Sequence, residues 1–213
     1  MTPPKCHPWI GWATAFVAVA IGLWFLPLFH VVTLQNARHA TAAAAFDADA
    51  VVEKLWREQL LKPDLRALDA AQLVKLLREK KTAAAELGRR LGLSRTTCYF
   101  VAGTARIASV TNDSLSLALE GDAAPSVVIE TGPVFGNAIR DGSGLLEVSA
   151  FPNSQDFNAI STALNRRVEE DVLPSQRAKA AVGARVRFVG GAEVDDPASA
   201  LPLRVVPIRI EWP

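Results

Sequence analysis

The chain has 213 residues, half of them hydrophobic, enough to bury a core in one sizeable domain or two small ones and too apolar for disorder to be the default. The formal net charge is +1, and Lys5 is the only Lys or Arg before residue 38, so everything beyond the first apolar run balances at 22 basic against 22 acidic residues. A neutral remainder argues against a nucleic-acid surface, which needs clustered positive charge to displace counterions.

The first element runs from Trp9 to Val32, WIGWATAFVAVAIGLWFLPLFHVV, and its only ionisable member is His30. As a helix rising about 1.5 Å per residue it reaches roughly 36 Å, enough to cross a hydrocarbon core of about 30 Å with some tilt. Trp9 and Trp12 at one end, and Trp24, Phe25 and Phe29 toward the other, suit the two interfaces. Small residues at Ala40 and from Ala42 to Ala45 make a cleaved signal peptide the competing reading. Signal cores, however, are only about 7 to 15 residues long, so an uncleaved signal anchor is expected. Lys5 and the terminal amine, set against Arg38, place residues 1–8 in the cytoplasm, the span 9–32 in the inner membrane and the rest in the periplasm. Lipidation would need a cysteine just after the apolar core, whereas Cys6 precedes it, so no lipidation site is expected. Cys98, on the far side of the span, cannot pair with Cys6 and reads as a small buried hydrophobe.

Residues 33–45 read as a tether, and 46–94 as a helical subdomain of three short helices. Asp47 can cap the first, in which Val51, Val52, Leu55, Trp56 and Leu60 recur at helical spacing up to Pro63. Asp69 and Gln72 have capping-box spacing ahead of the second. The third is expected from Thr82 to Leu91, ended by Gly92.

After Ser94 the period becomes strand-like. Strands are expected at Tyr99–Val110, Leu115–Leu119 and Val127–Glu130, with a short one near Leu145–Val148. A helix over 156–172 then carries Phe157, Ile160, Leu164, Val168 and Val172 on one stripe. Two last strands, Ala184–Val189 and Leu203–Ile210, flank a bend at Gly190-Gly191. The order predicts an α+β protein with a five-stranded, OB-like Greek-key barrel over 95–213 and a helix between strands 3 and 4. A plain mixed sandwich is the alternative.

The stretch Ala83 to Tyr99, AAAELGRRLGLSRTTCY, has the pattern of a helix-turn-helix with Arg95, Thr96 and Thr97 opening a recognition helix. It runs at once into the strand-like Tyr99–Gly103, which leaves that helix too short for a major groove. Packing on the barrel is the expected role.

Together, FDADAVVEKLW near residue 46, LGRRLG near 87, the strand Gly103–Val110, GPVFGNAIRDG from Gly132 to Gly142, FPNSQDFNAISTALNRRV from Phe151 and VGARVRFVGG from Val182 resemble the bacterial domain-of-unknown-function family twenty-two ninety-one. The resemblance implies a periplasmic lipoprotein, often encoded beside sugar ABC transporter components, with a small helical domain joined to a barrel of the oligosaccharide-binding class. The absent lipobox cysteine departs from that pattern and leaves anchoring to the helix.

His7, His30 and His39 are the only histidines, so nothing beyond residue 39 can supply His-assisted nucleophiles or a His-based metal site. Asp195-Asp196 and Glu169-Glu170-Asp171 read as solvated charge, and no P-loop or dinucleotide fingerprint calls for a cofactor. The remaining candidate is Gly132–Asp141, where Asn137, Arg140 and Asp141 offer donors and acceptors to a hydroxyl-rich ligand or a partner. The competing reading is a structural connection with a surface Arg–Asp pair worth under about 1 kcal/mol. The expected protein is thus a non-enzymatic, membrane-anchored accessory or binding module, and the resemblance alone implies a link to sugar transport. A membrane-tethered helix-turn-helix regulator is one alternative. An envelope hydrolase using Arg140, Asp141 and Glu147 is another.

Overall fold

Helix α1, Ala48–Leu55, begins where Asp47 accepts a hydrogen bond from the Ala50 N–H at 2.9 Å and continues into a wider π turn, Trp56–Leu60. A two-residue strand β1, Leu68–Asp69, leads into α2, Ala70–Glu79, capped by Asp69 through the Gln72 N–H at 2.8 Å. Then come α3, Lys81–Leu87, and the strands β2, Thr97–Val110, β3, Ser114–Leu119, and β4, Val127–Glu130. After the short α4, Ala138–Ser143, the long α5 runs over Ser154–Arg167, passes through a π turn at Val168–Val172 and meets α6, Leu173–Arg177. Strands β5, Arg185–Val194, and β6, Leu203–Glu211, complete the chain. This computed structural model describes residues 46–62, 66–177 and 179–213. The expected anchor Trp9–Val32, the tether 33–45 and Pro63 lie outside them. Among the described residues no helix is long and apolar enough to cross a membrane.

The sheet order is β1-β2-β3-β4-β6-β5, and β2 also pairs β5 over ten residues, from Thr97 with Val194 to Arg106 with Arg185, which closes the barrel. All barrel pairings are antiparallel except β4 with β6. With β1 added in parallel to β2, the sheet has six strands where five were expected.

Alternation along β2 explains the layering. Tyr99, Val101, Ala105 and Ile107 fill the barrel with Leu117, Ile129, Phe188 and Leu203, and α2 joins this core through Leu73, Val74 and Leu77. Phe100 points the other way, into a second core with Val189, Val206 and Ile208 under α1, α4 and α5. The first half of β2 is therefore buried on both faces, so TCYFV reads as a continuous apolar run, whereas its second half alternates.

Three expectations are corrected by this geometry. Helix α3 stops at Leu87, and Arg89 bridges Cys98 instead, so Thr97 enters β2 and no recognition helix forms. Leu145–Val148 is not a strand; a single 3-10 turn follows at Val148–Ala150. Gly190 and Gly191 are not a bend but the middle of β5. A Cβ on Gly191 would lie 2.4 Å from the Ala138 carbonyl carbon and 2.6 Å from the Ile139 nitrogen, so glycine is what lets the α4 backbone rest on the sheet.

Candidate functional site

Loop 131–137 and α4 sit where the outer core ends. Gly136 turns the loop with φ of +86°, and Asn137 then donates its backbone N–H to Glu193 on β5 at 2.5 Å. Upstream, the Val134 N–H donates to Glu169 of the α5 extension at 2.6 Å. Asn165 of α5 donates its side-chain amide to the Gly136 carbonyl at 3.0 Å. The loop is thus clamped from β5 on one side and α5 on the other. Glu169, read from sequence as solvated, is one of the clamps.

Burial pushes the Glu193 carboxyl above the usual range, against the stabilising Asn137 N–H, and nearby Asp195 and Asp141 add to the rise. Burial also drives the neighbouring Cys98 thiol up to about 12. Cys98 is 4% exposed, an inert core residue as its sequence context predicts.

Of the three predicted site residues, Arg140 and Asp141 are brought together but spent on each other. Arg140 is 2% exposed. Its Nε donates to Asp141 Oδ1 at 2.6 Å and its Nη2 to Oδ2 at 3.1 Å, a fork-on-fork pair. Nη1 donates to the Phe157 carbonyl at 3.1 Å and to Asn158 Oδ1 at 3.0 Å, and the guanidinium lies 3.9 Å from the Phe157 ring centroid. The expected exposed pair of small worth is corrected to a buried rivet between α4 and α5. Glu147 lines an open cleft with Asp141, whose carboxylate is engaged by Arg140.

Asn137 is half-buried and lies elsewhere, in a groove of about 610 Å³ between the loop and α5. Its wall on α5 presents Asn158, Ser161, Thr162 and Asn165, and its rim carries Phe135, which is 78% exposed. The Ser161 hydroxyl is buried and has no hydrogen-bond partner among the described residues. The groove therefore combines amide and hydroxyl groups with one exposed aromatic face, and its two charged members are engaged, Arg166 by Asp49 and Glu169 by the Val134 N–H, a mixture suited to hydroxyl-rich molecules. The α5 residues escaped the sequence reading although their signal was present: Asn158, Thr162, Asn165 and Glu169 recur every three or four residues.

The family described as predicted periplasmic lipoprotein, DUF2291, matches residues 17–211. The chain belongs to this family. Its description carries a periplasmic, membrane-associated location, as the resemblance of the quoted segments implied, and leaves the activity open. Among solved structures, the crystal structure of an OB-fold protein from Thermotoga maritima is similar over 80% of this chain and 100% of that one, with 24% identity and a TM-score of 0.71. That likeness agrees with the strand order above and carries the fold alone. No curated protein matches the chain.

The outer face that OB barrels commonly use, on the strands matching β3 and β4, presents Ser114, Ser116, Ala118, Val128 and Glu130 here. None of these is an aromatic platform for stacked bases.

Proposed function

We propose that this chain is a non-enzymatic binding module of the envelope, whose groove between loop 134–137 and α5 takes a small hydroxyl-rich ligand in the service of sugar uptake. The observation that carries this reading is the groove itself, in which Phe135, Asn137 and Thr162 hold surface that the fold does not use. Asn165 and Asn158 each spend one polar atom on the scaffold, on Gly136 and Arg140, and keep the other free. Their direction is set by those contacts, which lowers the entropy cost of binding. The Trp9–Val32 run acts as the membrane anchor in this account, because Cys98 is buried in β2 and Cys6 precedes the apolar core. The regulator reading is disfavoured because β2 begins where a recognition helix would be needed.

Calorimetric titration of the protein with a panel of neutral mono- and oligosaccharides tests the groove. At least one sugar is expected to bind, and Phe135→Ala and Asn137→Ala are each expected to weaken it about tenfold or more with Tm unchanged. Absence of binding across the panel would refute the sugar reading. Crosslinked pull-down from membranes tests the transport link separately, and recovery of a transporter permease or binding protein is the expected result.

A further inference from the structure

The segment that resembled a DNA-binding turn in sequence has a different use in three dimensions. Residues 89–98 form a hairpin closed by paired hydrogen bonds between Arg89 and Cys98, both 2.8 Å, with a tight turn where the Ser94 N–H meets the Leu91 carbonyl at 3.1 Å. Arg90 Nε fixes one arm to Thr97 Oγ1 at 2.9 Å, and Thr96 Oγ1 ties the other to Asp195 at 2.6 Å. This hairpin holds apolar side chains out of the fold: Leu93 at its tip is fully exposed, at 103%, and Leu91 is 39% exposed, beside Leu87 at the end of α3, which is 42% exposed. From Leu87 to Arg95 the chain carries Arg89, Arg90 and Arg95 and no acidic residue.

Beside the hairpin lies a cleft of about 510 Å³ whose lining includes Lys62, Arg66 and Arg89 and, among the described residues, no carboxylate. Arg89 and Gly144 also line a neighbouring cleft with Arg90 and Leu91. That second cleft includes Glu147 and Asp141, the latter already paired with Arg140. Lys62, Arg66 and Arg89 form no ion pair among the described residues. Cations that are unpaired among the described residues, set beside protruding leucines, match a surface that is apolar below a layer of phosphates.

We infer that this face docks on the headgroup layer of an anionic phospholipid bilayer. Leu91 and Leu93 enter the acyl boundary, and Lys62, Arg66 and Arg89 meet lipid phosphates. The membrane association of the family keeps such headgroups at high local concentration, so a weak contact suffices to orient the domain. This inference is independent of the sugar groove, which lies at the opposite end of α4 and uses none of the same residues.

Vesicle flotation tests it with residues 46–213, which hold both cores within one compact unit. Binding is expected to vesicles containing phosphatidylglycerol and not to pure phosphatidylcholine. Leu91→Ser with Leu93→Ser is expected to reduce it about tenfold or more, and Arg66→Gln with Arg89→Gln by a similar factor. Both pairs are surface changes, and an unchanged Tm confirms that the fold is intact. No flotation, equal binding to neutral vesicles, or undiminished binding by either pair overturns the inference. Thermal protection by inorganic phosphate without flotation would assign the cleft to a soluble anion and overturn it too. In the full chain in membranes, a photoreactive residue at position 93 is expected to capture lipid, and capture of protein alone would overturn it.

Discussion

Replacing Arg140 separates a structural arginine from a ligand-binding one. Arg140→Ala removes four hydrogen bonds of 2.6 to 3.1 Å and the contact with the Phe157 ring, and leaves the Asp141 carboxylate, 11% exposed, without its partner. Breaking a buried pair from one side costs about 3–5 kcal/mol, because the remaining charge stays desolvated. For a unit of this size that corresponds to a fall in Tm of roughly 10 °C or more. Asp141→Asn keeps the shape but weakens two charge-assisted bonds, and about 1.5–3 kcal/mol is expected. The double variant Arg140→Met with Asp141→Asn removes both charges, so it should lose less than the sum of the two single changes. Thermal and urea unfolding of all four proteins reads these values. If Arg140→Ala lowers Tm by no more than about 3 °C while abolishing sugar binding, Arg140 is a ligand contact and the rivet assignment is wrong.

Three further outcomes follow from the same geometry. Gly191→Ala brings a Cβ within 2.6 Å of the α4 backbone, which cannot yield as a side-chain end would. It should cost about 1–3 kcal/mol and loosen α4, seen as faster hydrogen exchange at Ala138–Ser143. Because burial raises the Glu193 carboxyl in the folded state, the folded protein holds that proton to higher pH than the unfolded chain does. The associated stability is present below the ordinary glutamate range and is lost as pH rises through the raised value. Glu193→Gln, titrated by urea unfolding across that window, should flatten the decline, and an unchanged slope would count against a desolvated carboxylate at this position. In a Cys6→Ser chain, Cys98, with its thiol pushed up to about 12, should resist an aromatic disulfide reagent at neutral pH until urea unfolds the protein.

Local signals explain how far the elements could be read in advance. Asp47 and Asp69 cap because a short acidic side chain just before an amphipathic run has nearby N–H groups to satisfy, and those groups lie within three residues. Strand β4 spans the expected Val127–Glu130, and the apolar stripe of α5 is buried at Phe157, Ile160 and Leu164. Where local chemistry was ambiguous the boundaries slipped. Leu87 and Leu91 stand one helical turn apart, which suits a longer helix, and only the bridge from Arg89 to Cys98 decides for a hairpin.

By itself, the sequence determined the alternation of strands, the helix caps, the neutral charge balance of the domain and the family to which its segments belong. Those properties depend on residue type and on neighbours a few positions away. Tertiary structure alone decided what the candidate residues do. Arg140 finds Asn158 eighteen positions on, and the Asn137 N–H finds Glu193 fifty-six positions on. Gly191 is needed only because α4 crosses β5. Such pairings arise from barrel closure between β2 and β5, a non-local contact whose register is fixed by packing on both faces at once. For that reason the segment Gly132–Asp141 could be picked out in the sequence, while its division into a buried rivet at Arg140 and an open groove at Asn137 could not.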